Sequence, residues 1–525
     1  MKKILKFIAG VAILGLVIML LINAVIEPWV GKKIETEFEK TNSGCSIEIE
    51  KINLSLISSG LELKNITFKP KLVDGEMRVL SGDIASIKLK GINFFKILFE
   101  KDIEIRELNI SKSNLTGSFP FSGKESQPIV SPVKIRIDEL IFEKTDLTIT
   151  NTSNAQAFTV KKGFLKVYEI QFNKSDTLSG SVISHFDFDA TEISMVSTDS
   201  MYSFKALNIQ YSATSNTLMM DSFMINPNFE DYDFTSRREF QTDRIEADFS
   251  NIFVYHFSAA DYFGSQRFVS SYIEIRKMDL SIFRDNRKKF KHVVKPTFQE
   301  VFYNYPGLLN IDSLNVLSGN ITYTEHAEKA NEPGMISFNE IEAKFSKISN
   351  DTIYKTDTAF LELHTKAKLM GKGDLAISLK SRIFDANNTF SVDGTLSGME
   401  ASDLNLMLEK NAFVYATSGK IDAMSFNFTA NNSKATGQTT LLYHDLYLAV
   451  KNKRTDDTTA FVQRLVSIIA NIKVLDSNPL PGDTARVGIV EYQRDPERFL
   501  FNYCFKSIMT GIKSNLDRNP GRKQK

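Results

Sequence analysis

Residues Ile47–Phe68 read IEIEKINLSLISSGLELKNITF. Their apolar positions fall at Ile47, Ile49, Ile52 and Leu54, and again at Leu61, Leu63, Ile66 and Phe68. Alternation at a period of two gives a strand one apolar and one wet face. The two-residue gap inside each copy would flip the strand to its other face, so a bulge or tight bend is expected there to restore register. The same rhythm returns at Ile103/Ile105/Leu108/Ile110, Ile135/Ile137/Leu140/Phe142 and Leu165/Val167/Ile170/Phe172. It returns once more at Ile273/Ile275/Met278/Leu280 and at Leu309/Ile311/Leu314/Val316.

Several copies run on into a second segment rich in Ser, Thr and Asn, as at Ser113–Leu115, Thr145–Ile149 and Gly319–Tyr323. The repeating unit is therefore expected to be a strand-turn-strand module, stacked along an axis. Helical material is too scarce to cover so many strands. This leaves sheet-on-sheet packing, or one curved sheet with an apolar concave face. The predicted fold is mostly β: an N-terminal transmembrane helix, then an elongated, curved antiparallel sheet of repeated strand modules forming an apolar groove, with a few short helices.

The chain divides by composition. Residues 1–29 are expected to be a cytoplasmic stub and membrane anchor. Ile4–Ile26 is almost wholly apolar, about the length a helix needs to cross ~30 Å of hydrocarbon. Phe7, Leu14 and Leu21 lie within this stretch, and Trp29 suits the far headgroup layer. Lys2, Lys3 and Lys6 would keep the N-terminus cytoplasmic, leaving the bulk of the chain outside the cytoplasm. A cleaved signal peptide is the rival reading. Residues 30–45 should form a juxtamembrane helix with Ile34 and Phe38 on one side. Residues 46–335 would carry the repeated modules, 336–458 a β meander, and 459–525 a helix-strand-helix cap with a basic tail.

Composition narrows the chemistry. Net charge is +1 over 525 residues with acids and bases nearly balanced, so nothing points to a nucleic-acid binder. Two cysteines, Cys45 and Cys504, cannot make a disulfide framework. The six histidines, His185, His256, His292, His326, His364 and His444, come from unlike segments, and no metal-ligand spacing occurs. His444-Asp445 resembles a dyad only on paper, because neighbours on a strand point to opposite faces. No catalytic residue, cofactor or metal is expected, and the chain is read as a non-enzyme. The basic run Arg284–Lys289, with Lys291 and Lys295, is either a solvated loop or a contact for anionic headgroups.

Four segments carry a family likeness: Ile47–Phe68, Asp83–Gly117, Thr417–Val450 and Val490–Ser514 (VEYQRDPERFLFNYCFKSIMTGIKS). With the N-terminal apolar stretch, they make the chain resemble the AsmA-like proteins, in the branch of unknown function common in Bacteroidota and related to TamB and the bridge-like lipid transfer proteins. The resemblance implies inner-membrane anchoring, a periplasmic β-rich groove and a part in phospholipid traffic or outer-membrane homeostasis. It supplies no catalytic residues. On this reading the groove would be lined by Ile47, Ile49, Ile52, Leu54, Leu61, Leu63, Ile66, Phe68, Ile103, Ile105, Leu108, Ile110, Ile135, Ile137, Leu140, Phe142, Ile273, Ile275, Leu309 and Ile311. Partners would be a phospholipid or other acyl-chain lipid, the inner membrane, and an outer-membrane or periplasmic protein. Two alternatives remain. A non-enzymatic scaffold or assembly factor for outer-membrane proteins would have a filled core and an exposed edge strand or partner surface. An enzyme would gather some of the histidines and acids into a polar pocket.

Overall fold

The computed structural model describes residues 31–36, 45–55, 59–70, 79–93, 95–100, 102–119, 134–151, 156–172, 185–355, 360–450 and 474–517. Contacts divide the chain at Asp221/Ser222 into two units.

In the first unit the strands are β1 (Cys45–Ser55), β2 (Gly60–Pro70), β3 (Val79–Lys90), β4 (Ile103–Phe119), β5 (Ile135–Asn151), β6 (Ala157–Phe172), β7 (Phe186–Val196) and β8 (Tyr202–Ser212). Neighbours in this order pair antiparallel, except β4 and β5, which are parallel. The unit boundary falls within β9 (Thr217–Pro227). In the second unit come β10 (Asp243–Tyr255), β11 (Arg267–Ser270), β12 (Tyr272–Asp285), β13 (Leu308–Val316) and β14 (Gly319–His326). Then follow β15 (Gly334–Ser349), β16 (Leu361–Leu369), β17 (Gly373–Ser381), β18 (Phe390–Glu400), β19 (Val414–Ala430), β20 (Lys434–Val450) and β21 (Gly488–Gln493). β12 runs parallel to both β13 and β14, and β11 runs parallel to β13. From β15 to β21 each strand pairs antiparallel with the next.

The expected antiparallel sheet is thus corrected to a mixed one. In β4 and β5 two copies of the rhythm lie side by side in the same direction, Ile103 opposite Ile135 and Leu108 opposite Leu140. The module itself is also corrected. Ser113–Leu115 continues β4 and Thr145–Ile149 continues β5, so these two modules are single long bent strands, whereas Leu309–Val316 and Gly319–Tyr323 fall in two strands, β13 and β14, joined by a bend at 317–318.

The gap within the rhythm has a consistent structure. At the antiparallel gaps one facing pair drops out of the ladder, and one member of that pair is left-handed. Asn65 (φ 51°) faces Glu50, Glu169 (φ 56°) faces Asp138, and Lys347 (φ 58°) faces Asp312. Asn251 (φ 53°) and Arg276 do the same between β10 and β12. A non-glycine residue in this region is strained by ~1–2 kcal/mol. Local bonds offset part of that strain: Asn65 Nδ2 donates to Glu50 at 2.7 Å, and Lys347 Nζ donates to Asp312 at 3.0 Å. The kink crosses both strands together, so apolar residues return to the same face on each.

No described helix replaces the expected anchor. Ile4–Ile26 and Trp29, with Phe7, Leu14 and Leu21, lie outside the described residues. Among the described residues no helix is long and apolar enough to cross a membrane. The transmembrane helix in the predicted fold, the single-pass inner-membrane topology and the periplasmic placement derived from it are corrected accordingly: what is described is a mixed β-sheet fold with short helices. Of the segment 30–45, residues 31–36 form a short helix in which Ile34 packs on the β1–β3 cluster, and Phe38 lies outside the described residues. The apolar segment 459–473 and the basic tail lie outside the described residues.

The main core sits in the second unit. Phe390, Val392, Leu396, Phe426, Phe428, Leu441, Tyr443 and Val490 are buried there, closed over by the helix Leu500–Leu516. Contact is close enough that Gly511 lies directly on β20: a Cβ there would sit 2.3 Å from Thr439 Oγ1. Asn478 staples the segment before β21 to this core. Its amide nitrogen donates to Leu441 O at 2.6 Å and to Asn515 Oδ1 at 3.2 Å, and its oxygen accepts from Arg486 N at 2.8 Å. Cys45 and Cys504 are not joined in a disulfide, and burial pushes the Cys504 thiol up to about 12.

Candidate interaction surfaces

The residues expected to line a groove instead form cross-strand rows that pack on one another. One row runs Leu54–Leu61–Leu89–Leu108–Leu140–Val167 from β1 to β6. Its neighbour runs Ile52–Leu63–Ile87–Ile110–Phe142–Leu165. Ile49 faces Ile66, and Ile47 faces Phe68. Ile103 and Ile105 face Ile135 and Ile137. Within these rows Ile47, Ile52, Leu63, Ile66, Ile105 and Val167 are buried, and the others are half-buried. In the second unit Ile273 and Ile275 face Val254 and Ile252 on one side, and Leu314 and Val316 on the other. Leu309 and Ile311 lie beside Phe268 and Ser270.

These contacts, with no membrane-spanning helix among the described residues, correct the membrane-rooted lipid groove. The rhythm supplies the core of a packed sheet. A crevice lined by Lys347, Ser349, Tyr354, Phe360, Leu361, Ile383 and Phe384 has room for about one water molecule.

The histidines are held apart, each in its own local network. His326 is buried, its Nδ1 2.8 Å from the Tyr232 hydroxyl and its Nε2 2.9 Å from Ala330 O. The carbonyl requires Nε2 to carry the proton, so the tyrosine hydroxyl donates to Nδ1. Beside them Arg287 grips Asp285 with two bonds of 2.8 Å and lies over the Tyr232 ring. Burial raises the Asp285 carboxyl, but the Arg287 bonds outweigh it and hold the group below its ordinary range. His444 meets Asp422 at 2.8 Å across the β19–β20 pair, not Asp445. Sequence adjacency could not reveal that partner; strand pairing supplies it. Among the described residues, no three His, Cys, Asp or Glu side chains gather to hold a metal.

A second charged cluster lies beneath the C-terminal helix. Asp243, Arg284 and Glu325 form one row across β10, β12 and β14. Arg284 Nε is 2.7 Å from Asp243, and the Tyr323 hydroxyl donates to Glu325 at 2.6 Å. Burial raises the Asp243 carboxyl and the Tyr323 hydroxyl above their ordinary values. Lys506 of the helix is pulled down to about 7, chiefly by burial, which the nearby Glu325 only partly opposes. Packed rings shield this side, with Phe501 6.3 Å from Tyr323 and 6.4 Å from Phe505.

Both outermost strands have an edge amide intercepted. Ile49 N–H of β1 donates to Glu35 at 2.9 Å, and Glu491 N–H of β21 donates to Thr510 at 3.3 Å. Side chains from flanking helices thus blunt edges that would otherwise recruit a further strand. A cluster of exposed aromatic side chains lies elsewhere, on and around the helix Ala259–Ser265. Ser258 caps it by accepting from Asp261 N–H, and Gln266 (φ 53°) ends it. This turn pushes Phe263 into solvent at 77 % exposure. Tyr262 stands against Phe263, Phe257 and Phe268 at 5.4–6.1 Å. Nearby, Tyr255 stacks on Tyr272 at 5.8 Å.

Set against protein-family models and curated proteins, the chain matches none.

Proposed function

We propose that the chain is a non-catalytic scaffold that assembles with other proteins, in the manner of an assembly factor for outer-membrane proteins. The observation that carries this reading is the aromatic surface around Phe263 and Tyr262. Leaving a phenylalanine ring in water forgoes ~1.5–3 kcal/mol of burial, and clustered exposed aromatics are the usual anchors of protein interfaces. Blunted edges fit the same role. With strand addition discouraged at β1 and β21, a partner must be recognised by side chains, which makes the contact selective.

Photo-crosslinking tests this. A benzophenone amino acid at position 263 or 262 of the full chain, irradiated in its native cells, should give one discrete adduct with the same protein from both positions. The same group at Ile353, exposed elsewhere on this unit, should give none. A featureless smear from all three positions, or no adduct from 262 and 263, would overturn the scaffold reading.

A further inference from the structure

We infer that the basic loop 286–295, with the turn 494–499 that it lies against, is a docking site for an acidic segment of a partner protein that also carries apolar side chains. The assignment rests on the scaffold reading and adds the chemistry of a second contact surface. Elsewhere in the chain exposed lysines commonly meet carboxylates, as Lys69 meets Glu48, and Lys347 meets Asp312. Here the local acids are already engaged. Asp285 is held by Arg287, Glu497 by His292 at 3.0 Å, and Asp495 by Arg498 at 3.8 Å. Lys288, Lys289 and Lys291 form no ion pair with a described carboxylate, so the loop presents surplus positive charge.

The loop is also shaped in advance. Gln241 Nε2 donates to Asn286 O and Lys288 O at 3.1 and 3.0 Å, and Gln241 N–H donates to Lys289 O at 2.9 Å. Lys295 N–H donates to Pro496 O at 2.8 Å, while an Arg494 guanidinium nitrogen donates to Lys295 O at 3.0 Å. Cations sit on rings across the seam: Arg498 over Phe290 at 4.0 Å, Lys295 over Phe499 at 5.0 Å, and Lys291 over Phe240 at 5.7 Å. Between these fixed cations, Val294 stands 69 % exposed, with Val293 and Phe499 also in solvent.

Charge complementarity therefore asks for carboxylates, and the valines and Phe499 ask for apolar side chains between them. Immobilised cations favour a discrete partner. Adsorption to anionic headgroups uses mobile lysines and needs no fixed geometry, whereas pre-ordered cations reduce the entropy lost when a defined acidic peptide binds. Nucleic acid fits poorly, since Asp285, Asp495 and Glu497 lie interleaved with the cations.

Fluorescence anisotropy on the full chain supplies the test. The probe is a labelled peptide alternating Glu with Phe and Leu; controls are the same peptide with Lys for Glu, and equimolar phosphatidylglycerol–phosphatidylcholine vesicles. The acidic peptide should bind saturably, the lysine peptide should not, and added salt should weaken binding. The variant K288E/K289E/K291E should lose about tenfold or more in affinity. V293S/V294S should lose severalfold with its salt dependence intact, and circular dichroism should report both variants folded. Absent or unsaturable binding, equal binding of the lysine peptide, or unchanged affinity in the charge-reversed variant overturns the assignment. Vesicle binding that depends on the same lysines and exceeds peptide binding overturns the protein occupant in favour of a lipid surface. None of these results bears on crosslinks from positions 262 and 263, so the two readings fail separately.

Discussion

Replacing Lys506 by Met should stabilise the docking of the C-terminal helix. Lys506 sits half-buried in Leu500–Leu516, over a sheet face that presents Tyr323, Glu325, Arg284 and Asp243. Burial lowers its pKa from 10.5 to about 7, against a smaller opposing pull from Glu325. The difference corresponds to a ceiling of about 4.8 kcal/mol, at 1.36 kcal/mol for each tenfold change in proton affinity. Water reaching the half-buried amine screens part of this, so a gain of ~1–3 kcal/mol is expected at pH 7. Methionine keeps the length of the stem and its packing near Phe501 and Phe505. The sign with pH follows from linkage. An undocked lysine binds its proton up to pH 10.5 and the docked one only to about 7, so the docked state gains stability as pH rises through that window. The advantage of Lys506→Met should therefore shrink between pH 7 and 10.5 and stay constant below 7. Hydrogen exchange of the amides in 500–516 reads the local opening directly. Equal exchange in both proteins at pH 7, or an advantage that grows with pH, would refute the reasoning.

Two further substitutions probe the fold. Gly511→Ala would place a Cβ 2.3 Å from Thr439 Oγ1 and 2.9 Å from Val490 Cγ2; lifting the helix off β20 and β21 should cost ~1–3 kcal/mol, seen as a lowered thermal midpoint and faster exchange in 500–516. Lys112→Gly should act the other way, because Lys112 holds φ 53° opposite Ala85 in a step where that pair leaves the β3–β4 ladder. Removing left-handed strain of ~1–2 kcal/mol, less the extra freedom of glycine in the unfolded chain, leaves ~0.5–1 kcal/mol of stabilisation by urea titration; a destabilised variant would mean that the kink is held by the lysine side chain.

Much of the sheet was legible because its signal is local. Ile47/Ile49/Ile52/Leu54 fixes both the strand and its interruption, and the left-handed Asn65, Glu169, Asn251 and Lys347 fall in or opposite the predicted gaps, while others such as Lys112 do not. Strand direction was not legible. Antiparallel and parallel neighbours present the same alternation along a single chain, so the pairing of β4 with β5 depends on where the chain returns between Phe119 and Ile135. Side-chain sites were less legible still. Tyr232 and His326, or His444 and Asp422, meet only through pairing and turns, and neither partner stands out in its own segment. The exposure of Phe263 had a faint signal in Ser258–Asp261, a capped helix start followed by consecutive aromatics, but a core reading of the same residues was equally available. Burial of Lys506 had none, since a lysine on an amphipathic helix reads as solvent-facing until the sheet beneath it is known.

Parallel pairing of repeats also raises a question of register that the rhythm alone cannot answer. In β4 and β5 like positions face each other, Ile103 to Ile135 and Leu108 to Leu140. In β12 and β13 they do not: Ile273 faces Leu314 rather than Leu309, a slip from the first half of one copy to the second half of the next. Apolar still meets apolar after that slip, because the two halves of the rhythm have the same spacing. Hydrophobic matching is therefore nearly degenerate between these registers, and something else must select one. The polar residues of β12 do so. Asn320 donates to Asp279 at 2.8 Å, Asn315 donates to the Tyr272 hydroxyl at 3.3 Å, and Glu325 stands beside Arg284. Each of these pairings exists only in the observed register. The apolar rhythm makes the sheet, and the sparse polar residues between its beats decide which strands meet and where.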